Sequence, residues 1–249
     1  MNNSFFSYAG YISFLKKLKS IGKVSCFNCY DQTTSFILRH DVDLDLRFAL
    51  KLAEIEFDEK LKSTFFILTT AETYNILSSC NRTIIQTISD MGFEIGLHFD
   101  PTVYPDLKDE QLINTMALEA TILESISLKK VNSVSLHNPS IHGLYPSFPG
   151  YLNAYDPPFF FNDNYISDSR MEFRGKNINT FIEEGRTRMI QINLHPMHYQ
   201  ENESEYVNIL YKHIISYINS IDDNFKSKNS TYLSQFKGRL RDIISGVKE

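Results

Sequence analysis

The chain has no tryptophan, only three cysteines and no excess of basic residues, and each shortage excludes a class of protein. Cys26, Cys29 and Cys80 are an odd count, which argues against a disulfide framework. Cys26-Phe27-Asn28-Cys29 has the spacing of a redox motif or of half a zinc site. No second cysteine pair completes a four-ligand site and no thioredoxin-like βαβ context surrounds it, so the two thiols read as incidental. A net charge of −5 and a pI near 5.8 argue against a nucleic-acid binder. They are compatible with a sugar, a nucleotide sugar or a glycan, since a neutral substrate needs no steering field. No apolar run approaches the roughly 20 residues that cross a bilayer. Residues 1–15 lack a basic stretch followed by an apolar one and a cleavage site, so the expectation is a cytoplasmic protein without stable membrane insertion. The ten glycines are scattered, with no Walker loop, no glycine-rich dinucleotide turn and no Gly-x-Ser-x-Gly elbow.

What is present is an alternation of apolar runs and helical patterns. At 249 residues the chain suits one large domain or two small ones. Helical spacing is predicted over residues 8–21, ended by Gly22, then over 45–60, 81–91, 107–128, 205–225 and 232–247. Buried strands are predicted at 35–39, 63–68, 93–97, 131–136, 159–166 and 188–194. Strands alternating with helices are the signature of a parallel sheet. Residues 138–158, rich in Pro, Gly and Tyr, read as an active-site loop.

His40-Asp41-Val42-Asp43 is the most informative stretch. Two carboxylates two residues apart at a strand end point the same way. Close like charges in a shielded cleft need a cation, a shared proton or a basic neighbour. The alternative is a helix N-terminus decorated with acids, a description that fits Asp45 as a cap. Further polar residues follow the other strand runs: His98, His137, Asp168 and His195. Sites in parallel α/β folds gather at such strand ends, and a closed or partly closed barrel brings many of them together. His98 and His137 can each be read instead as turn or loop histidines. His195 and His198 are three apart, but Pro196 disfavours a continuous helix, so His195 reads as a lone catalytic group with His198 behind it. Asp168 and Arg170 could orient an acid or a base, with a structural ion pair as the alternative and Arg174 as another candidate arginine. His142 reads as structural or substrate-facing, and His213 as a packed or surface residue.

In this order the positions resemble the polysaccharide deacetylase family (carbohydrate esterase family 4, the NodB-homology domain), from about residue 36 to residue 199. Asp41 and Asp43 match its first motif, Ser63-Thr64-Phe65-Phe66 its second strand, residues 92–98 its Gly-x-Glu-Ile-Gly-x-His segment, and Asn193-Leu194-His195 its closing Leu-His motif. The resemblance implies a distorted (β/α) barrel in a single domain over 1–249, with helix 8–21 and helices 205–247 packed on the core. It implies metal-dependent removal of an N-acetyl group from a sugar, with Asp41 as general base, His195 as general acid, and Asp43 and His98 as ligands. The family's second ligand histidine falls at Thr102 here. His137 is the preferred substitute and Asp100 the second choice. The family's Arg-x-Pro-Tyr motif is altered to His137-Asn138-Pro139-Ser140. Asp168 and Arg170 would orient the base and the acid. The metal expected is zinc, with iron, cobalt and manganese also suited to nitrogen and oxygen ligands. The looser match suggests a divergent cytoplasmic branch like those in surface-polysaccharide biosynthesis. Two other readings stay open: a degenerate glycan-binding pseudoenzyme, and a hydrolase of another amide or of an O-acetyl ester on the same scaffold.

Overall fold

The structure, a computed structural model, describes residues 4–107, 109–161 and 163–236. It forms two compact units, Met1–Glu203 and Ser204–Glu249. The first unit is built on parallel strands β1 (Lys23–Ser25), β2 (Thr34–Val42), β3 (Thr64–Leu68), β4 (Glu94–Phe99), β5 (Ser133–Leu136), β6 (Leu152–Asn153), β7 (Tyr165–Ser167) and β8 (Ile190–Leu194). Seven of them run β6-β5-β4-β3-β2-β8-β7, and β1 pairs with the first half of β2. Successive strands are neighbours, yet β8 returns to lie beside β2, which is the wrap of a barrel and not the order of a flat sheet. The result is a distorted (β/α) barrel, curled and open between β6 and β7, with no pairing of those two strands among the described residues.

The helices return the chain from one strand to the next. In α1 (Tyr8–Ile21) Ser7 caps the first turn, accepting from the Gly10 amide at 3.0 Å, and Tyr11, Phe14, Leu15 and Leu18 form its buried stripe. In α2 (Leu46–Asp58) the cap is Asp45, which accepts from the Arg47 amide at 2.8 Å. Then come α3 (Ser79–Asp90) and α4 (Asp109–Ser127), followed by the short α5 (Pro139–His142) and α6 (Ile178–Phe181). The second unit comprises α7 (Tyr206–Lys228) and α8 (Ser230–Phe236), joined within itself by Lys226 to Asp222 at 2.6 Å. Most of the predicted helix 232–247 lies outside the described residues.

Strand periodicity sorts the residues into two layers. On β2, Phe36, Leu38 and Val42 join Phe65, Ile67, Ile95, Leu97, Ile192 and Leu194 in the core under the helices. Ile37 turns the other way, into a small plug with Phe27, Phe66, Ala154 and Phe159. Gly96 on β4 is dictated by that plug. A Cβ there would stand 2.5 Å from the Phe66 ring and 2.8 Å from Ser133 Oγ.

Two strand expectations change. The short β1 and β6 carry too few apolar residues to announce themselves. The strand expected over 159–166 shrinks to β7, because Pro157 and Pro158 lack the N–H groups a ladder needs and the Phe159 and Phe160 amides donate back to Asp156.

One polar cluster lies in the helix-side layer. Glu56 is fully buried and accepts from Tyr11 and, at 2.5 Å, from Ser63, while its Oε1 meets His40 Nε2 at 2.5 Å. His40 stacks on Phe65 at 4.5 Å. Removing one member of such a buried cluster strands its partners. Glu56→Leu is expected to lower the unfolding free energy by about 3 kcal/mol, measured by urea denaturation.

Candidate active site at the strand ends

Asp41 is 3% exposed at the end of β2 and is held by three strands. Arg39, two residues earlier on the same face, donates from Nη2 to Oδ2 at 3.0 Å. Asn193 of β8, paired in register with Arg39, donates to the same oxygen at 3.0 Å. Ser135 of β5 reaches Oδ1 only at 3.4 Å. Arg39 is itself fully buried. It donates to Gln191 at 2.9 Å and to the Tyr155 hydroxyl at 2.9 Å, and its guanidinium lies 4.9 Å from the Tyr155 ring centre. Of the three remedies for crowded carboxylates, Asp41 therefore has the basic neighbour.

Asp43 stands one step further out. Its Oδ1 is 3.2 Å from His98 Nε2 and 3.7 Å from His137 Nδ1, and those two nitrogens are 3.2 Å apart. The three side chains arrive from β2, from β4, and from the residue after β5. His98 Nδ1 lies 3.2 Å from the Ser135 carbonyl. A carbonyl can only accept, so Nδ1 carries a hydrogen, and Nε2 is the ring atom turned toward Asp43. Oδ1 of Asp43 is shut off from solvent and receives no hydrogen bond of good geometry. Burial pushes the Asp43 pKa up, but the imidazoles of His137 and His98 outweigh it and hold the group well below the usual range. Burial disfavours charge on His137, and Asp43 nevertheless raises its pKa. Asp43, His98 and His137 form a donor set that could hold a metal ion.

Across the pocket, His195 follows β8. Its Nδ1 is 2.6 Å from Asp168 Oδ1, its backbone N–H donates to the same carboxylate at 3.0 Å, and its Nε2 lies 3.7 Å from Asp43 Oδ2. Burial opposes a charge on His195, but Asp168 overcomes it and raises the pKa to about 9. Burial likewise pushes Asp168 up, and His198 and His195 outweigh it to lower its pKa. His198, 3.2 Å from Asp168 Oδ2, sits in the short turn that Pro196 opens.

The structure thus brings Asp41, Asp43, His98, His137, Asp168 and His195 to one end of the barrel. It leaves three named residues outside the cluster. Asp100 accepts from the Thr102 amide at 2.9 Å and hydroxyl at 2.6 Å, capping its own turn, so Asp100 is not the third donor. Arg170 is exposed and makes no ion pair among the described residues, whereas Arg39 pairs with Asp41. His142 is exposed at the end of α5. Arg39 and Asn193 were missed, yet the period-two argument that aligned Asp41 with Asp43 also aligns Arg39, at one further step back.

Asp41, Asp43, His98, His137 and His195 line one pocket of about 350 Å³, walled by Tyr145, Tyr155, Phe160 and Tyr165. Among solved structures the chain is similar to a CE4-family pseudoenzyme from Bacillus anthracis (14% identity, TM-score 0.42, 73% of this chain and 59% of that one). It is similar to a peptidoglycan N-acetylglucosamine deacetylase (15% identity, TM-score 0.45, 76% and 84%). It is also similar to the peptidoglycan deacetylase PdaC from Bacillus subtilis (14% identity, TM-score 0.43, 71% and 81%). The likeness is one of fold, to CE4 polysaccharide deacetylases and pseudoenzymes. The chain spans 59% of the length of the first of these. No protein-family model and no curated protein matches the sequence. No helix among the described residues is long and apolar enough to cross a membrane.

The Arg39–Asp41 pair gives a stability test. Arg39→Met is expected to cost about 3 kcal/mol in urea unfolding by leaving a buried carboxylate unpaired. Adding Asp41→Asn should restore most of that loss, and the double-mutant cycle reads the coupling.

Proposed function

We propose that the chain is a metal-dependent hydrolase that removes an N-acetyl group from a sugar, acting in surface-polysaccharide or glycan biosynthesis. The observation that carries the reading is the convergence of Asp43, His98 and His137 beside a tethered Asp41 and opposite the His195–Asp168 pair.

The donor set fits a divalent ion. Zinc ligands at about 2.0–2.1 Å in a tetrahedron stand roughly 3.3 Å from one another. The three donor atoms here are 3.2, 3.2 and 3.7 Å apart. Two imidazoles and a carboxylate leave a fourth position open, as in catalytic zinc sites, and the buried unpaired Oδ1 of Asp43 lacks the positive partner an ion provides. Asn138 Nδ2 lies 2.8 Å from His137 Nε2; turning the amide over would set its oxygen to accept from Nε2–H and leave the Nδ1 lone pair for an ion. A divalent ion held there supplies Lewis acidity, acidifying a water and offsetting negative charge on the acetyl oxygen.

The chain's own groups handle the protons. Asp41 is the base. Arg39 and Asn193 occupy its Oδ2 and aim the carboxylate, which leaves Oδ1, with only the long Ser135 contact, to take the proton of the attacking water. His195 is the acid. Its Nδ1 is committed to Asp168, so the Nε2–H faces the pocket and is delivered to the leaving sugar amine. Water is thereby divided, hydroxyl to the acetyl carbon and hydrogen to the amine nitrogen. Neither product needs a redox partner. The aromatic wall suits the apolar face of a sugar ring.

The test separates binding from chemistry. Asp43→Ala and His98→Ala should each lose zinc through dialysis, read as metal per chain by atomic absorption. Asp41→Asn should keep stoichiometric zinc and lose about 1,000-fold in acetate release from N-acetylated sugars. Full activity in Asp41→Asn, or a wild-type protein that retains no divalent metal, would overturn the reading.

A further inference from the structure

The mouth of the pocket carries a chemistry that deacetylation does not require. Arg174 and Lys176 both line it, and both belong to the loop after β7. Neither forms an ion pair with a carboxylate among the described residues. Each is instead tethered by a neutral group. Arg174 donates from Nε to Ser169 Oγ at 3.1 Å, which leaves the two terminal nitrogens of its fork uncommitted. Lys176 Nζ donates to the Tyr165 carbonyl at 3.1 Å and lies 4.6 Å from the centre of the Phe181 ring, which leaves further N–H groups free.

The positions of these cations are specific to the pocket. The chain as a whole carries −5, so a cationic rim is not part of a generally basic surface. The only carboxylates among the lining residues are Asp41 and Asp43, which are already engaged at the floor. The loop is also held in a costly conformation. Arg170, Met171 and Arg174 have φ of +66°, +55° and +49°, values that side-chain-bearing residues seldom adopt. Such strain persists where the surroundings over-determine it and is concentrated at ligand clamps.

We propose that the substrate is an N-acetyl sugar bearing a phosphate group, and that Arg174 and Lys176 clamp the phosphate at the mouth while the acetamide reaches the floor. A pocket of about 350 Å³ is at the small end of ligand sites, with room for a single sugar ring below the rim. A planar fork with free terminal N–H groups and an ammonium lining the same pocket match the oxygens of a phosphate. A sugar phosphate can be presented on a nucleoside diphosphate or on a lipid diphosphate, and the rim would serve either. The proposal deepens the deacetylase reading and rests on it for the acetamide end only.

The experiment has a binding arm and a turnover arm. Zinc-loaded wild type and the double variant Arg174→Gln/Lys176→Gln are titrated calorimetrically with N-acetylglucosamine 1-phosphate and with neutral N-acetylglucosamine. Acetate release is then compared on UDP-N-acetylglucosamine, on an undecaprenyl-diphosphate-linked N-acetylglucosamine in detergent, and on a neutral N-acetylglucosamine oligomer. Wild type should prefer the phosphorylated ligand in binding. The double variant should lose that preference about 100-fold, roughly tenfold for each charge-assisted contact. Whichever of the two diphosphate substrates is turned over identifies the carrier. Phosphate-dependent binding without acetate release on any substrate would sustain the rim and overturn the deacetylase reading. Equal binding of phosphorylated and neutral sugars by the wild type, or a preference unchanged in the double variant, would overturn the rim.

Discussion

A guanidinium with no access to water stands behind the carboxylate on which the site turns. Moving either ion of the Arg39–Asp41 pair from water into the barrel alone would cost several kcal/mol. Together they are tolerated because Gln191 and the Tyr155 hydroxyl accept from the terminal guanidinium nitrogens, Asn193 donates to the carboxylate, and three aromatic rings lie within 5.8 Å of the guanidinium, whose Nε alone has no partner among the described residues. The pair also ties β2 to β8 and to the segment that carries Tyr155. The nearest site groups are placed relative to that anchor: Asp43 one step outward, just past the end of β2, and His195 one step outward from Asn193, just past the end of β8.

The barrel interior reads as rows. Arg39, Asp41 and Asp43 alternate along β2 and just past its end, Glu94, Gly96 and His98 along β4, Ser133, Ser135 and His137 along β5 and just past it, and Gln191, Asn193 and His195 along β8 and just past it. Each row ends in a site residue. Beneath them, Glu94 accepts from Thr64 at 2.8 Å and from Ser133 at 2.7 Å, and Phe66 fills the space that Gly96 leaves. An interior this polar cannot hold the fold by apolar contact alone, and the larger apolar core lies on the outer face of the strands, under the helices.

Much of this was legible in the sequence, because strand alternation and helical spacing are strong in long apolar runs. Residues 8–21 fall on α1 end to end, and the predicted runs 35–39, 93–97, 131–136 and 188–194 overlap β2, β4, β5 and β8. Arg39 was passed over because a charged residue inside an apolar run counts as that run's edge, whereas here it is the deepest polar group of its row. For the histidine missing at Thr102 the sequence preferred His137, at the end of a neighbouring strand, over Asp100. His137 and Asp100 lie on different segments, and only the pairing of β4 with β5 brings His137 to His98. The segment from 138 to 176 resisted reading for a different reason. Its short elements are set by prolines and tertiary contacts, and local periodicity says little about either.

That segment has a role of its own. Apart from Asp168, the charged groups stand at or just beyond the ends of strands fixed by ladder hydrogen bonds, while the aromatic wall and the two rim cations belong to the chain running from β5 through β7 and beyond it. On the hydrolase reading, reactivity and selectivity would be borne largely by different stretches of polypeptide with different mechanical constraints. A scaffold divided in this way could exchange the molecule it accepts by rewriting one surface excursion, with little disturbance to the groups proposed to break the bond.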